Sequence, residues 1–331
     1  MRRRRFIAGL GAAAAWPFAV RAQQPDGVRR VGVLMNTVAT DREFQSYVAV
    51  FIQGLQRLGW VEGQNLRVDV RWNAGNAGLS QTYAVQLIGL MPDVILAAST
   101  TNLTAIRQVT STVPVVFVSV SDPVAQGFVA SVRQPGGNIT GFSRYEFSIG
   151  GKWLGLLKEA APGLARVAVM FNPNTSPQLK FFMYAIEAAA EFLGVEVIAA
   201  PVRATGDIEP ALESFGRQPN GGLILTSDTF TNMRYSLIAN LAGRYSLPSI
   251  ASGVSFAKNG GLMSYGSDID LADEYRGAAT YVDRILKGSK PGDLPVQATD
   301  RYTFAINLKT AKALGLTIPE TLLATADELI E

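Results

Sequence analysis

The strongest constraint on the fold is an alternation of short β-branched runs and longer amphipathic stretches that goes through the chain twice. Val31-Gly32-Val33-Leu34-Met35 reads as a buried strand, 41–58 as a helix closed by Gly59, 66–72 as a second strand and 81–90 as a helix. A third strand over 94–97, a helix over 100–109, a fourth strand over 115–118 and a helix over 124–132 follow. The turn Pro135-Gly136-Gly137 then leads into a strand over 139–142. Strand and helix in regular alternation specify a parallel sheet with right-handed crossovers. The pattern restarts near Ile149, with a helix over 152–161, a strand over 167–171 and a helix over 179–193. That helix carries Phe182, Ile186, Ala189 and Leu193 on one face. Strands over 195–199, 223–225 and 262–264 complete the second series, and a last long helix spans 271–286. The 331 residues suffice for two such lobes. The expected fold class is therefore α/β, two Rossmann-like lobes built on parallel sheets, with the boundary near 143–150.

The N-terminus stands outside this pattern. Arg2 to Arg5 form a basic head, followed by a weakly apolar Ala/Gly-rich stretch over 6–20 that is too short to span a bilayer. Val20-Arg21-Ala22 offers tolerated residues before a cleavage point, and Arg3-Arg4-Arg5-Phe6-Ile7 fits the twin-arginine export pattern. Residues 1–22 are thus expected to be an export signal, cleaved after Ala22, and the mature protein to reside in the periplasm. The formal charge of +3 belongs to this segment: without its five arginines, 25 basic residues face 27 acidic ones, a net charge of −2. Nucleic-acid binding loses its main support with that change of sign.

The chain has no histidine and no cysteine. A Ser-His-Asp triad, a cysteine nucleophile, a disulfide and a His/Cys-ligated metal site are all excluded. No Gly-rich lysine loop for nucleotide phosphates is present, and Gly9-Leu10-Gly11-Ala12-Ala13-Ala14 resembles a dinucleotide fingerprint without the preceding strand that such a fingerprint needs. Asp268, Asp270, Asp273 and Glu274 have the wrong spacing for a calcium loop and read as the acidic start of a helix. The reading is of a binding protein, not an enzyme, with no cofactor and no metal.

Ligands of parallel sheets bind beyond the carboxyl ends of the strands, where helix N-termini present free N–H groups. The polar residues that follow strands are therefore the candidates. They are Asn36 after the first strand, Ser99 and Thr100 after the third, and Ser121 and Asp122 after the fourth. In the second series they are Asn174 and Thr175, then Asp228, with Tyr265 beside the last strand. The same residue types are preferred helix caps, so capping competes with ligand contact at each position, most clearly at Asp122-Pro123.

Several segments resemble one family along the whole length. They are Gly54-Leu55-x-x-Leu58-Gly59-Trp60, Glu62-Gly63-x-Asn65, Pro114-Val115-Val116-Phe117, Ser121-Asp122-Pro123-Val124, Pro135-Gly136-Gly137-Asn138-Ile139-Thr140-Gly141, and the distinctive run from Ile306 to Pro319. The chain resembles ABC transporter substrate-binding proteins of the tryptophan/tyrosine-binding type. The resemblance implies a periplasmic-binding-protein type I fold whose lobes are joined by three hinge crossovers. One lobe would comprise 28–143 plus about 266–292, the other 144–265 plus about 293–331. It also implies that Ser99 and Thr100 hold a ligand carboxylate and Asp228 an ammonium, and that a monomer delivers a small organic solute to a permease and its ATPase. The alternative is a ligand-sensing input to a membrane receptor.

Overall fold

The computed structural model describes residues 27–267, 270–299 and 301–331; the expected export signal and Asp268 lie outside them. The first series comprises β1 (Arg29–Met35), α1 (Arg42–Arg57), β2 (Leu66–Trp72), α2 (Ala77–Gly89), β3 (Val94–Ala98), α3 (Thr100–Val109), β4 (Val115–Ser121) and β5 (Ile139–Tyr145). The second comprises α4 (Ile149–Ala160), β6 (Arg166–Phe171), α5 (Leu179–Leu193), β7 (Glu196–Pro201), α6 (Ile208–Gly216), β8 (Gly221–Leu225), α7 (Thr229–Asn232), α8 (Tyr235–Arg244), β9 (Ser249–Ala251), α9 (Ser255–Lys258) and β10 (Met263–Ser267). Then come α10 (Leu271–Leu286), β11 (Gln297–Ala298), β12 (Tyr302–Asn307), α11 (Leu308–Ala313), α12 (Glu320–Thr325) and β13 (Glu328–Ile330).

These strands form two sheets, ordered β11-β5-β4-β3-β1-β2 and β13-β12-β10-β9-β8-β6-β7. Each is covered on both faces by helices, which explains why all five residues of β3 and all five of β8 are buried. The first sheet is parallel throughout. The second departs from the expectation in one respect: β12 runs antiparallel to β10. The chain reaches β12 directly from the other lobe, so no helical crossover on this sheet dictates its direction.

Three segments pass between the sheets: β5 to α4, β10 to α10, and β11 to β12. This is the two-lobed type I architecture. β11 pairs with β5, so the third passage falls between Ala298 and Tyr302, a few residues later than the boundary near 293 that the resemblance implies. At the first passage, β5 likewise runs on to Tyr145.

α10 returns to the first lobe and packs on α1, with Tyr275, Ala278, Ala279 and Val282 against Phe51 and Leu55. A Cβ at Gly54 would stand 2.7 Å from Ala279 Cβ, so glycine there sets how closely the two helices approach. The helix expected over 124–132 is absent. Asp122 and Gly127 take positive φ, and the segment closes irregular turns instead, among them Gln126 N to Asp122 O and Phe128 N to Pro123 O. Helices α6 and α8 and strand β9 are elements that the alternation did not reveal. β9 is three residues long, too short to leave a periodic trace.

Candidate functional site

The carboxyl ends of both sheets face one cavity of about 660 Å³ between the lobes. In the first lobe it begins at the β3–α3 junction. Ser99 holds φ at 85°, an unfavourable value for a residue with a Cβ. That turn lets its Oγ accept from Asn102 N at 3.4 Å. The amides of Thr100 and Thr101 lie in the first turn of a ten-residue helix, where the intrahelical ladder supplies no acceptor. With the helix dipole they form a site suited to an anionic oxygen. Asn102 anchors the junction from below: its Nδ2 donates to Leu34 O at 3.0 Å and Ala98 O at 2.7 Å, and its Oδ1 accepts from Asn73 at 2.7 Å.

An aromatic wall stands beside this junction. Tyr47 stacks on Tyr275 at 5.6 Å, and Phe44 meets Tyr47 edge-on at 5.4 Å; all three line the cavity. The Tyr47 hydroxyl donates to Glu43 at 2.6 Å. Burial, and then this carboxylate, hold its pKa above the usual phenol value. None of the three was singled out as a site residue from the sequence. The spacing of Phe44 and Tyr47, three apart at the start of α1, was the available signal.

The floor is ionic. Glu274, 2% exposed, lies 3.4 Å from Arg144 and accepts from Ser119 N at 2.8 Å and Ser119 Oγ at 3.3 Å. Arg144 also donates to Ser267 O at 3.3 Å, joining two of the inter-lobe passages. Burial raises the Glu274 pKa, and Arg144 and Ser119 offset this only in part. Burial works against the charge on Arg144 too, yet Glu274 and neighbouring tyrosines outweigh it and keep that group firmly cationic. Ser119 sits at φ 57° where the β4 register slips, which turns its N–H out of the ladder and onto Glu274.

From the second lobe come Thr175, Gln178, Ser227, Thr229 and Tyr235. Hydrogen bonds that cross the cleft include Asn36 Nδ2 to Thr229 Oγ1 at 3.1 Å and Thr101 Oγ1 to Thr175 O at 3.0 Å. The lobes are therefore closed on one another.

Of the nine residues read from the sequence, Asn36, Ser99, Thr100 and Thr175 line the cavity. The other five do not, and each is occupied elsewhere. Asp228 is 2% exposed, and its carboxylate accepts from Asn172 N at 2.8 Å, Phe230 N at 3.0 Å and the Thr175 hydroxyl. It caps α7 and ties two loops together, so the ammonium role implied for it by the resemblance is not what this geometry serves. Burial pushes its pKa up against those hydrogen bonds. Asp122 caps Ala125 N at 3.0 Å, and Ser121 N donates to Thr100 Oγ1 at 3.4 Å. Asn174 is exposed, its N–H donating to Asn172 Oδ1 at 2.8 Å. Tyr265 stacks on Tyr302 at 5.5 Å, on the second lobe's own core.

Residues 34–330 match the family model described as ABC transporter substrate binding protein. The chain belongs to that family. This substrate-binding protein is 27% identical over 266 residues to the tyrosine-binding protein of Clostridioides difficile (strain R20291), spanning 80% of this chain and 75% of the relative. A crystal structure of a conserved domain protein from Vibrio cholerae is 27% identical, covers 91% of this chain and 99% of its own, and superposes with a TM-score of 0.79. An ABC domain from Streptococcus pneumoniae in complex with L-Trp has the same fold, with a TM-score of 0.73 at 23% identity over 91% of this chain and 99% of its own. Among the described residues, no helix is long and apolar enough to cross a membrane.

Proposed function

We infer that this protein captures an aromatic amino acid in the inter-lobe cleft, outside the cytoplasmic membrane, and presents the closed form to an importer's permease and ATPase. One observation carries the ligand class: a helix N-terminus bearing Ser99, Thr100 and Thr101 stands in the same closed cavity as the Phe44–Tyr47–Tyr275 wall. The first suits an α-carboxylate, the second an aromatic side chain. The names of the C. difficile relative and the S. pneumoniae complex support the same class.

Capture then works by population shift. Ligand held by the first lobe adds contacts to the second only on closure, so the closed state has the higher affinity and ligand stabilises it. The twin-arginine pattern and the small-residue cleavage point support export. The test is a thermal-shift and calorimetric screen of amino acids, aromatic acids, short carboxylates, sugars and nucleosides. Tryptophan or tyrosine is expected to raise Tm by mass action. A response to sugars or nucleosides with the amino acids silent overturns the ligand class.

A further inference from the structure

The wall and the α3 N-terminus leave one end of an amino acid unaccounted for. An α-ammonium needs acceptors, and among the described residues the carboxylates that line the cavity (Asp41, Glu43 and Glu328) and the two buried behind it (Glu274 and Asp228) each already have a partner. Asp41 caps α1, Glu43 takes the Tyr47 hydroxyl, Glu328 pairs with Lys258 at 3.0 Å, and Glu274 is held by Ser119 and Arg144. Asp228 is turned inward onto its own loops.

Among the described residues that line the cavity, one buried amide oxygen is left without a partner. Gln178 lines the cavity and is 3% exposed. Its Nε2 donates to Ser227 O at 2.6 Å. A carbonyl can only accept, so this bond fixes which end of the amide is which, and the other end is the oxygen. That Oε1 is buried and has no hydrogen-bond partner. Thr37 Oγ1 and Ser267 Oγ are also buried on the cavity without partners. A hydroxyl can rotate to donate or to accept, whereas Gln178 Oε1 can only accept.

Position completes the inference. An amino acid carries carboxylate and ammonium on one carbon, so whatever holds the first has the second beside it. Thr101, in the first turn of α3, donates to Thr175 O at 3.0 Å, and Thr175 stands three residues before Gln178. The loop that carries Gln178 thus lies against the α3 N-terminus in the closed form.

We propose that Gln178 Oε1 is the second lobe's acceptor for the ligand ammonium, reached on closure, and that it makes the protein select α-amino acids over the corresponding acids that lack the amine. This rests on the aromatic amino-acid reading above. It assigns to a neutral amide the task that the resemblance implied for Asp228.

The experiment measures L-tryptophan, L-tyrosine and their des-amino counterparts, indole-3-propionate and 3-(4-hydroxyphenyl)propionate, on the wild-type protein and on Gln178→Leu by calorimetry. Wild type is expected to prefer each amino acid over its des-amino partner. In Gln178→Leu that preference is expected to fall by roughly ten- to a hundredfold, the range for a hydrogen bond to a charged group, with the des-amino affinities unchanged. Equal loss for both ligands of a pair, or an undiminished preference, overturns the assignment. The wild-type arm does not depend on how the variant folds: indole-3-propionate binding as tightly as L-tryptophan also overturns it. Wild type that binds neither amino acid refutes the ligand class itself, which is a distinguishable result.

Discussion

Asn36 Nδ2 lies 3.1 Å from Thr229 Oγ1, and that one hydrogen bond joins the end of β1 in the first lobe to the start of α7 in the second. With the Thr101–Thr175 bond it belongs to the closed state only, because opening the cleft separates both pairs. Removing the donors by Asn36→Ala together with Thr101→Val is expected to weaken ligand affinity by about 1–3 kcal/mol, the sum of two ordinary hydrogen bonds. The loss is read by calorimetry, and small-angle scattering of the free protein is expected to show a larger radius of gyration. Unchanged affinity and size would mean that closure does not use these contacts.

Tyr47 is the part of the aromatic wall that can be altered with least damage to the core, since Tyr275 is fully buried between the helices and Tyr47 is only partly so. Tyr47→Leu keeps an apolar surface but loses ring stacking, a difference of about 1 kcal/mol. Selectivity for tryptophan over leucine is expected to fall by roughly fivefold. Competition binding measures it; retained selectivity places the ligand's side chain elsewhere.

Asp228 is expected to act on stability. Asp228→Ala leaves the N–H groups of Asn172 and Phe230 and the Thr175 hydroxyl without their shared acceptor. Unsatisfied buried groups cost about 1–3 kcal/mol each, so urea unfolding of the ligand-free protein is expected to show a loss of about 2–4 kcal/mol, lessened by local relaxation. Normal stability with lost binding would return Asp228 to direct ligand contact.

The ionic floor supplies a pH test. Burial holds the Glu274 pKa above the ordinary carboxylate value. In the folded state this group therefore keeps a proton that the unfolded chain has released above about pH 4. Its contribution to stability is full below that pH and is lost as pH rises through the raised pKa. The unfolding free energy of wild type relative to Glu274→Gln is expected to decline from pH 4 to pH 7. A relative rise over that window reverses the sign and makes the Arg144 attraction dominant over burial.

The two lobes, their element order and the sheet edge that holds the site were legible in the sequence because each rests on local pattern. Buried strands such as 94–98 are apolar runs, helices such as 179–193 carry an apolar stripe, and ligands follow the carboxyl ends of strands. Ser99 and Thr100, which line the cavity, stand out in that way. The helix expected over 124–132 does not form: Asp122 and Gly127 take positive φ, which interrupts a helical run.

Which polar side chains face the cavity was decided by contacts between segments far apart in the chain. Asp228 and Gln178 both follow a strand of the second lobe and both carry acceptors. Thr175 and the amides of Asn172 and Phe230 engage the Asp228 carboxylate, whereas Ser227 O engages only the nitrogen of Gln178 and leaves its oxygen without a partner. The aromatic wall has the same origin: Tyr47 and Tyr275 are 228 positions apart in the sequence and meet because α10 returns to pack on α1. Periodicity in one segment reports which face is apolar; it carries no record of the partner from another segment that will meet each polar atom.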